Sequence, residues 1–368
     1  MTASPITLDT MPSQPTEEAI ESCRQLINKS TTDLDQMAGH LETLRRLFME
    51  QRQLDKAWCV AAAASFLGKA DAEGQRFHDQ HRPQMFTRAR ARMTEELWRL
   101  VYHADEDRHV SAVFALVSYA VAAARAREHK AWGLKRKERR DIAKDVLLFS
   151  KVFNYVSQVL GVPTPEVYMR PGSPGEMDLA NACEKSQLVP SLVVFSGLLQ
   201  GRPDKELAYV IAKGLTFMRP DHFVRWPHVV PTIAELKIIF VAAVKLVHRA
   251  FVLPADIAQP VGQYVDHLQR SLAPQQIQPL SAVVQSFLAA GRDADIHKWA
   301  NAVEMTATRM GFLICNDLEV AAKIVNAEPA SVGVADAPEK MWDLILWSIS
   351  DAYFTLRERL GLRIGEGS

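Results

Sequence analysis

One run of the chain, residues 202–228, constrains the fold more than any other part of the sequence. Apolar residues recur in it at the three- and four-residue spacing of a buried helix face, and they are Leu207, Val210, Ile211, Leu215 and Met218. Pro203 precedes the run and Pro220 follows it, which is typical of a helix start and a helix stop. The pattern therefore predicts a buried helix with an irregular, proline-containing segment after it.

The phrase E-L-A-Y-V-I-A-K-G-L-T-F in this run resembles the active-site helix of zinc metallopeptidases of the HtpX and CAAX-prenyl-protease type. That family reads approximately E-L-x-x-V-[IL]-[GA]-H-E-x-x-H, where both histidines bind zinc and the glutamate activates water. Here Lys213 and Phe217 stand at the histidine positions, and Gly214 stands at the glutamate position. A charged ammonium group and a phenyl ring offer no lone pair to a metal. The resemblance thus implies a zincin-like fold without its zinc chemistry.

A second segment, V-E-M-T-A-T-R-M-G-F-L at residues 303–313, resembles the helix that supplies the third zinc ligand in the pattern E-x-x-A-D. Glu304 is kept, and Thr308 replaces the aspartate. No metal, cofactor or catalytic residue is expected, because one carboxylate alone does not hold zinc. The family geometry brings the first and third ligands together, so Lys213 is predicted to pair with Glu304; the alternative is that Lys213 extends into solvent. The vestigial metal-site positions are Lys213, Gly214, Phe217, Glu304 and Thr308.

The segments before the first of these helices also follow the order of that family. A helix is expected over residues 141–160, and the phrases P-E-V-Y-M-R (165–170) and S-L-V-V-F-S (191–196) are expected to be strands. In the family two such strands form the edge of a small sheet beside the active cleft. The resemblance implies the same arrangement here.

The N-terminal third reads as paired helices. A helix is expected from Thr16, and two more are expected over residues 34–51 and 54–67. Large and small apolar residues in the second pair follow the order of a tetratricopeptide repeat, and they are Leu41, Leu44, Phe48, Ala57, Ala61 and Ala64. Residues 86–102 and 110–127 are expected to be further repeat helices, or helices that attach this part to the next domain.

These observations predict a mainly α (α+β) protein. The expected domains are a disordered tail over residues 1–16, a helical region similar to tetratricopeptide repeats over 17–132, and a metallopeptidase-like domain with a small β-sheet over 133–368.

Composition limits the partners. Lys+Arg and Asp+Glu both number 43, so no overall field recruits nucleic acid or an anionic membrane. The most apolar run, residues 238–247, is interrupted by Lys245 and is too short to span a membrane. Four separated cysteines and the lack of a signal-peptide pattern favour the cytoplasm.

The function that follows is a noncatalytic scaffold or adaptor, which binds a protein partner through its helical repeats and its vestigial cleft. One alternative is a hydrolase with a rebuilt active site, in which His222 and His228 join Glu304. Another is an electrostatic binder of nucleic acid or an acidic partner through residues 125–144. That basic stretch is otherwise a solvated surface, and its candidate contact residues are Arg136, Arg139 and Arg140. The sequence leaves the oligomeric state open.

Overall fold

A computed structural model describes residues 14–291, 293–329 and 334–364, so the predicted tail lies almost wholly outside the described residues. Helices account for 63% of the structure, which confirms the mainly α class. The helices are α1 (Gln14–Lys29), α2 (Leu34–Glu50), α3 (Leu54–Phe66), α4 (Ala72–His81), α5 (Glu95–Val101), α6 (Arg108–Arg125), α7 (Leu148–Leu160), α8 (Ser196–Leu199), α9 (Asp204–Thr216), α10 (Ile233–Val247), α11 (Ala258–Ser271), α12 (Pro274–Ala289), α13 (Ile296–Cys315), α14 (Leu318–Ala327), α15 (Ala337–Ser348) and α16 (Asp351–Leu360). None of the helices in the described ranges is long and apolar enough to cross a bilayer.

The strands form two small mixed sheets. They are β1 (Arg127–Glu128), β2 (Arg139–Arg140), β3 (Glu166–Arg170), β4 (Met177–Ala180), β5 (Ala182–Glu184), β6 (Gln187–Leu188) and β7 (Ser191–Phe195). The larger sheet has the order β2-β3-β7-β4, in which β3 and β7 are parallel and the outer strands are antiparallel to their neighbours. The two predicted strands, β3 and β7, are therefore central rather than at the edge, and the edge strands are β2 and β4.

The chain divides into two compact units. The first consists of residues 1–84 and 342–368, and the second consists of residues 85–341. Neither junction coincides with the predicted domain boundary at residues 132–133. The sequence does not predict that residues 342–368 belong to the first unit, because local patterns give no information on contacts between segments far apart in the chain.

In the first unit, α1 packs against α2, α2 against α3 and α3 against α4. The six residues at the predicted repeat positions are all at least 92% buried, including Leu41, Phe48 and Ala61. Small alanines on α3 let it approach α2 closely, as expected. The assignment of these helices to tetratricopeptide repeats remains a prediction.

Side-chain caps start several helices in both units. Asp33, Thr94 and Asp107 each accept hydrogen bonds from backbone N–H groups in the first turn of the helix that follows. Such caps satisfy donors that have no partner inside the helix. They explain why the bounds of α2 and α6 lie close to the predicted ones.

Two predicted helices begin later than expected. The helix predicted from residue 86 begins at Glu95, because the preceding backbone bonds outward: the Tyr155 hydroxyl accepts from Ala89 N at 2.5 Å, and Val159 O accepts from Met93 N at 2.8 Å. The helix predicted from residue 141 begins at Leu148, and the segment before it forms turns. The error at α5 arises from hydrogen bonds to α7, which the spacing of apolar residues within one segment cannot predict.

A buried ion pair joins the N-terminal helices of the first unit to its C-terminal segment. The fully buried Arg357 guanidinium donates to Asp55 at 2.8 and 2.7 Å. The guanidinium also lies 4.9 Å from the ring centre of Trp58. Asp55 accepts a further hydrogen bond from the backbone N–H of Ile364 at 2.8 Å. A single carboxylate therefore holds both α16 and the chain beyond it.

We predict that Arg357→Met lowers the free energy of unfolding by about 3–5 kcal/mol, because it leaves the Asp55 carboxylate without its buried partner. Urea denaturation followed by circular dichroism measures this change. Arg46→Met is the matched control: Arg46 is 68% exposed and pairs with Glu42, so a loss within about 1 kcal/mol is expected. Equal effects of the two substitutions would contradict a stabilising role for the buried pair.

Candidate functional site

The central helix of the second unit is α9, which packs against α7, α13 and α14. Asp204 and Glu206 lie in its first turn, where acidic side chains interact favourably with the helix dipole. Gly311 of α13 permits the close contact with α9, because a Cβ atom there would lie 3.0 Å from the Tyr209 ring. This contact brings the two segments singled out in the sequence, around Lys213 and Glu304, onto neighbouring helices.

Four of the five predicted vestigial positions line one cavity of about 580 Å³. They are Lys213, Gly214, Phe217 and Glu304. Thr308 is fully buried one turn further along α13 and is not part of the cavity wall. Its hydroxyl approaches Tyr209 without the geometry of a hydrogen bond and has no other partner within the described ranges. The structure therefore places all of these positions except Thr308 around a single space.

A closed set of ion pairs occupies the end of this cavity; we call it the ion-pair ring and define it by Lys213, Glu304, Lys340 and Glu328. Lys213 Nζ lies 2.7 Å from Glu304 Oε1 and 2.5 Å from Glu328 Oε1. Lys340 Nζ lies 3.2 Å from Glu304 Oε1 and 2.7 Å from Glu328 Oε2. Each ammonium group thus contacts both carboxylates, and the proposed pairing of Lys213 with Glu304 is present.

The ring favours the charged forms of Lys213 and Glu304. Burial alone would raise the pKa of Glu304, but the ammonium groups of Lys213 and Lys340 outweigh it and lower the pKa to about 2. Burial would likewise lower the pKa of Lys213, but Glu304 and Glu328 raise it above the ordinary value for lysine. Close opposite charges stabilise the ionised state of both partners.

These residues do not fit a zinc ion. Structural and catalytic zinc requires three or four thiolate, imidazole or carboxylate donors around one point. Here Lys213 fills that point with a positive charge, and Phe217 supplies no donor atom. Gly214, at the position of the catalytic glutamate, carries no side chain, and the Met177 side chain fills the space beside it. A metal would have to displace Lys213 before it could reach Glu304.

The remaining walls of the cavity are largely apolar. Phe217 and Trp226 face each other edge-on, with ring centres 5.8 Å apart. The edge strand β4 contributes Met177. The other apolar lining residues are Val210, Pro227, Ile324, Val325, Pro329, Val334, Ala335 and Ala337. The site therefore combines a charged end with an apolar channel beside a sheet edge.

The predicted contact residues Arg136, Arg139 and Arg140 line a different cavity, of about 840 Å³, together with Arg92. Arg139 pairs with Glu166 at 2.6 Å. Arg92, Arg136 and Arg140 form no ion pair with any described residue, and all are exposed. This is a locally basic surface on a chain whose net charge is zero.

The histidines suggested for a rebuilt site do not join Glu304. His222 is fully buried, and its Nε2 lies 2.8 Å from Glu106 Oε1. His228 pairs instead with Asp178 at 2.9 Å on the surface. Neither lines the cavity of the ion-pair ring. The structure therefore does not bring these two histidines to Glu304, because the loop after α9 places them elsewhere. A hydrolase with another rebuilt active site remains a hypothesis.

His222 belongs to a separate buried network. Potential ligand atoms of Glu106, Asp221 and His222 lie within 4.8 Å of one another. Glu106 also accepts hydrogen bonds from Ser111 at 3.0 Å and Thr306 at 2.7 Å. Burial would lower the pKa of His222, but Asp221 and Glu106 raise it. The geometry is that of a hydrogen-bonded ion pair that joins α6 and α13 to the loop after α9.

Among the lining residues that the sequence analysis did not identify, three are positively or negatively charged groups close to the ring. Glu328 and Lys340 complete the ion-pair ring, and Arg225 lines the wall beside it. Glu328 directly follows α14 and Lys340 lies in the first turn of α15, so no helical spacing relates them to Lys213 or Glu304. In the sequence, the position of Arg225 soon after the central helix is the one feature that suggests a place near the cavity.

The chain was compared with protein-family models, with curated proteins and with solved structures, and nothing among them matches it. The resemblance of α9 and α13 to the helices of zinc metallopeptidases therefore remains a prediction from the sequence.

The depressed pKa of Glu304 makes a prediction about acid stability. Wild-type protein should lose stability as the pH falls from about 4.5 towards about 2, because an unfolded glutamate binds a proton before the folded one does. Glu304→Gln should be less stable at pH 7 but should lack this part of the acid dependence. The difference in unfolding free energy between the two proteins should therefore narrow as the pH falls.

Urea denaturation between pH 3 and pH 7 at constant ionic strength measures this difference. Glu339→Gln, at an exposed position of α15, is the control and should follow the wild type at every pH. A difference between wild type and Glu304→Gln that does not change with pH would contradict the ion-pair ring as described.

Proposed function

We propose that this protein is a noncatalytic pseudo-metallopeptidase, acting in the cytoplasm as a scaffold or adaptor that binds a polypeptide in its cleft. One observation carries the proposal: Lys213 and Glu304, at the positions that the resemblance gives to the first and third metal ligands, meet in the ion-pair ring. An ammonium group there replaces the charge of a metal ion without its coordination chemistry. The site then keeps the shape of a cleft and loses the means to activate water.

The cavity suits an apolar segment of chain. Its volume of about 580 Å³ falls within the range of about 300–1,000 Å³ that is usual for ligand pockets. Apolar walls with a few polar groups at one end are also typical of such pockets. Met177, on the edge strand β4, lines the wall, and an extended peptide can pair with the edge of a sheet.

The helices of the first unit offer a second surface for a partner. Stacked helical hairpins present broad faces that bind polypeptides in many repeat proteins. The N-terminal helices would then act together with the cleft as an adaptor. Neither surface requires a metal.

A second candidate function is supported by the basic cavity around Arg136 and Arg140. Three arginines without ion pairs among the described residues favour an anionic partner, such as nucleic acid or an acidic protein. Binding of that kind is strongly weakened by salt, whereas binding in an apolar cleft is not. The salt dependence therefore separates the two candidates.

The proposed function is tested with reduced, carbamidomethylated α-lactalbumin, a permanently unfolded chain, labelled with fluorescein. We expect a rise in fluorescence anisotropy on binding, little change in affinity between 50 and 300 mM salt, and no cleavage with or without added zinc. Phe217→Asp should weaken binding about 10-fold or more, because it places a charge on the apolar wall.

Val252→Asp is the matched control, since Val252 is 86% exposed and lies outside the cavity. Zinc-dependent cleavage would contradict the noncatalytic assignment. Three results together would assign binding to the basic cavity instead. They are equal binding by the Phe217 and Val252 variants, a steep loss of affinity as salt is added, and the disappearance of this salt dependence in Arg140→Glu.

A further inference from the structure

The charges around the ion-pair ring do not balance. Lys213 and Lys340 are matched by Glu304 and Glu328, and each ammonium group contacts both carboxylates. Arg225 lines the same cavity and adds a third positive charge. The ring therefore supplies no counter-charge of its own to Arg225, in a partly enclosed space where an unpaired charge is costly.

Arg225 has no anionic partner in the described part of the chain. No ion pair or side-chain hydrogen bond involves its guanidinium, and its Nε is shielded from solvent without an acceptor. The neighbouring indole Nε1 of Trp226 is also a buried donor without an acceptor among the described residues. Burial lowers the pKa of Arg225, and only Glu304, already held by two lysines, opposes this effect. This part of the wall thus has donors and positive charge in excess.

The other acidic residues of the cavity do not supply the missing charge. Glu176 pairs with Arg202. Asp336 is exposed and accepts a hydrogen bond at 2.8 Å from the backbone N–H of Glu339 at the start of α15. Neither carboxylate forms an ion pair with Arg225 within the described ranges. A ligand with a negative charge would give this guanidinium the anionic partner that it lacks.

The sheet edge beside Arg225 limits how a chain can lie there. Met177 and Asp178 of β4 are partly exposed, but Leu179 is fully buried and Ala180 is 3% exposed. A peptide laid along this edge can pair over only a short stretch before the edge is covered. A chain that ends in the cavity fits this limit better than a chain that passes through it.

We propose that the cleft binds the C-terminal end of a polypeptide, with the free terminal carboxylate on Arg225 and the preceding apolar side chains against Phe217 and Trp226. This inference rests on the proposed polypeptide binding and specifies which part of the partner enters. A guanidinium fork and a carboxylate form two parallel hydrogen bonds, which gives both affinity and orientation. An amidated chain end would leave the guanidinium without its charged acceptor.

The test uses two fluorescein-labelled octapeptide mixtures of the same composition. Both begin with Gly-Ser-Gly-Ser and are randomised over Leu, Ile, Val, Phe, Met and Ala at the last four positions. One mixture ends in a free carboxylate and the other in an amide. We expect the acid mixture to bind wild-type protein roughly 10- to 100-fold more tightly, the range expected for a charge-assisted hydrogen bond.

Arg225→Gln should remove most of this preference. The matched control is Arg359→Gln, an exposed arginine that lines neither cavity and should keep the preference. The comparison of acid and amide is made first on wild-type protein, so it does not depend on how the variants fold.

Equal binding of the acid and amide mixtures would overturn this inference while leaving polypeptide binding in place. Suppose that unfolded α-lactalbumin binds, that Phe217→Asp prevents this binding, and that neither peptide mixture binds. This result would also overturn the inference. Tighter binding of decanoate than of the acid mixture would assign the site to a lipid carboxylate and overturn the peptide assignment. If α-lactalbumin itself fails to bind, the proposed function fails with it.

Discussion

The ion-pair ring is the interaction on which the architecture of the cleft depends. Lys213 on α9 and Glu304 on α13 come from different helices, Glu328 follows α14, and Lys340 lies on α15. Taking four charges out of water is costly, and the cost is offset only when every charge has close partners. The ring meets this condition because each ammonium group contacts two carboxylates. It therefore helps to fix the relative positions of four segments, together with apolar packing and with the ion pairs of Lys205 with Asp317 and of Lys323 with Glu206.

Much of this arrangement follows from the sequence, but not all of it. The apolar spacing around Leu207 and Leu215 predicts α9. The resemblance of two short segments to metallopeptidase helices predicts that Lys213 meets Glu304. Glu328 and Lys340 are not predictable in this way, because they reach the ring through tertiary packing. The same limit explains the late start of α5, where backbone groups before the helix bond to Tyr155 and Val159 instead of continuing a helix. Buried Arg357 likewise joins segments that are distant in the chain.

The cleft joins two kinds of chemistry that are usually separate. At its charged end, the ion-pair ring has no net charge, so it makes the cleft rigid without attracting ions strongly. Its wall carries one guanidinium that forms no ion pair with a described residue, beside aromatic rings that are edge-on to each other. Donors that are already in place before a ligand arrives favour selective binding. Under our proposal, the position of a metal site has become a recognition site without a new fold.

The central claim is that Lys213 holds the place of a metal ion and keeps Glu304 from binding one. Its most direct test is the metal content of purified protein that has been incubated with excess zinc and then dialysed against metal-free buffer. Mass spectrometry with inductively coupled plasma should find zinc far below one ion per chain, and the value should be the same for Glu304→Gln. One tightly held zinc per chain that disappears in Glu304→Gln would contradict the account.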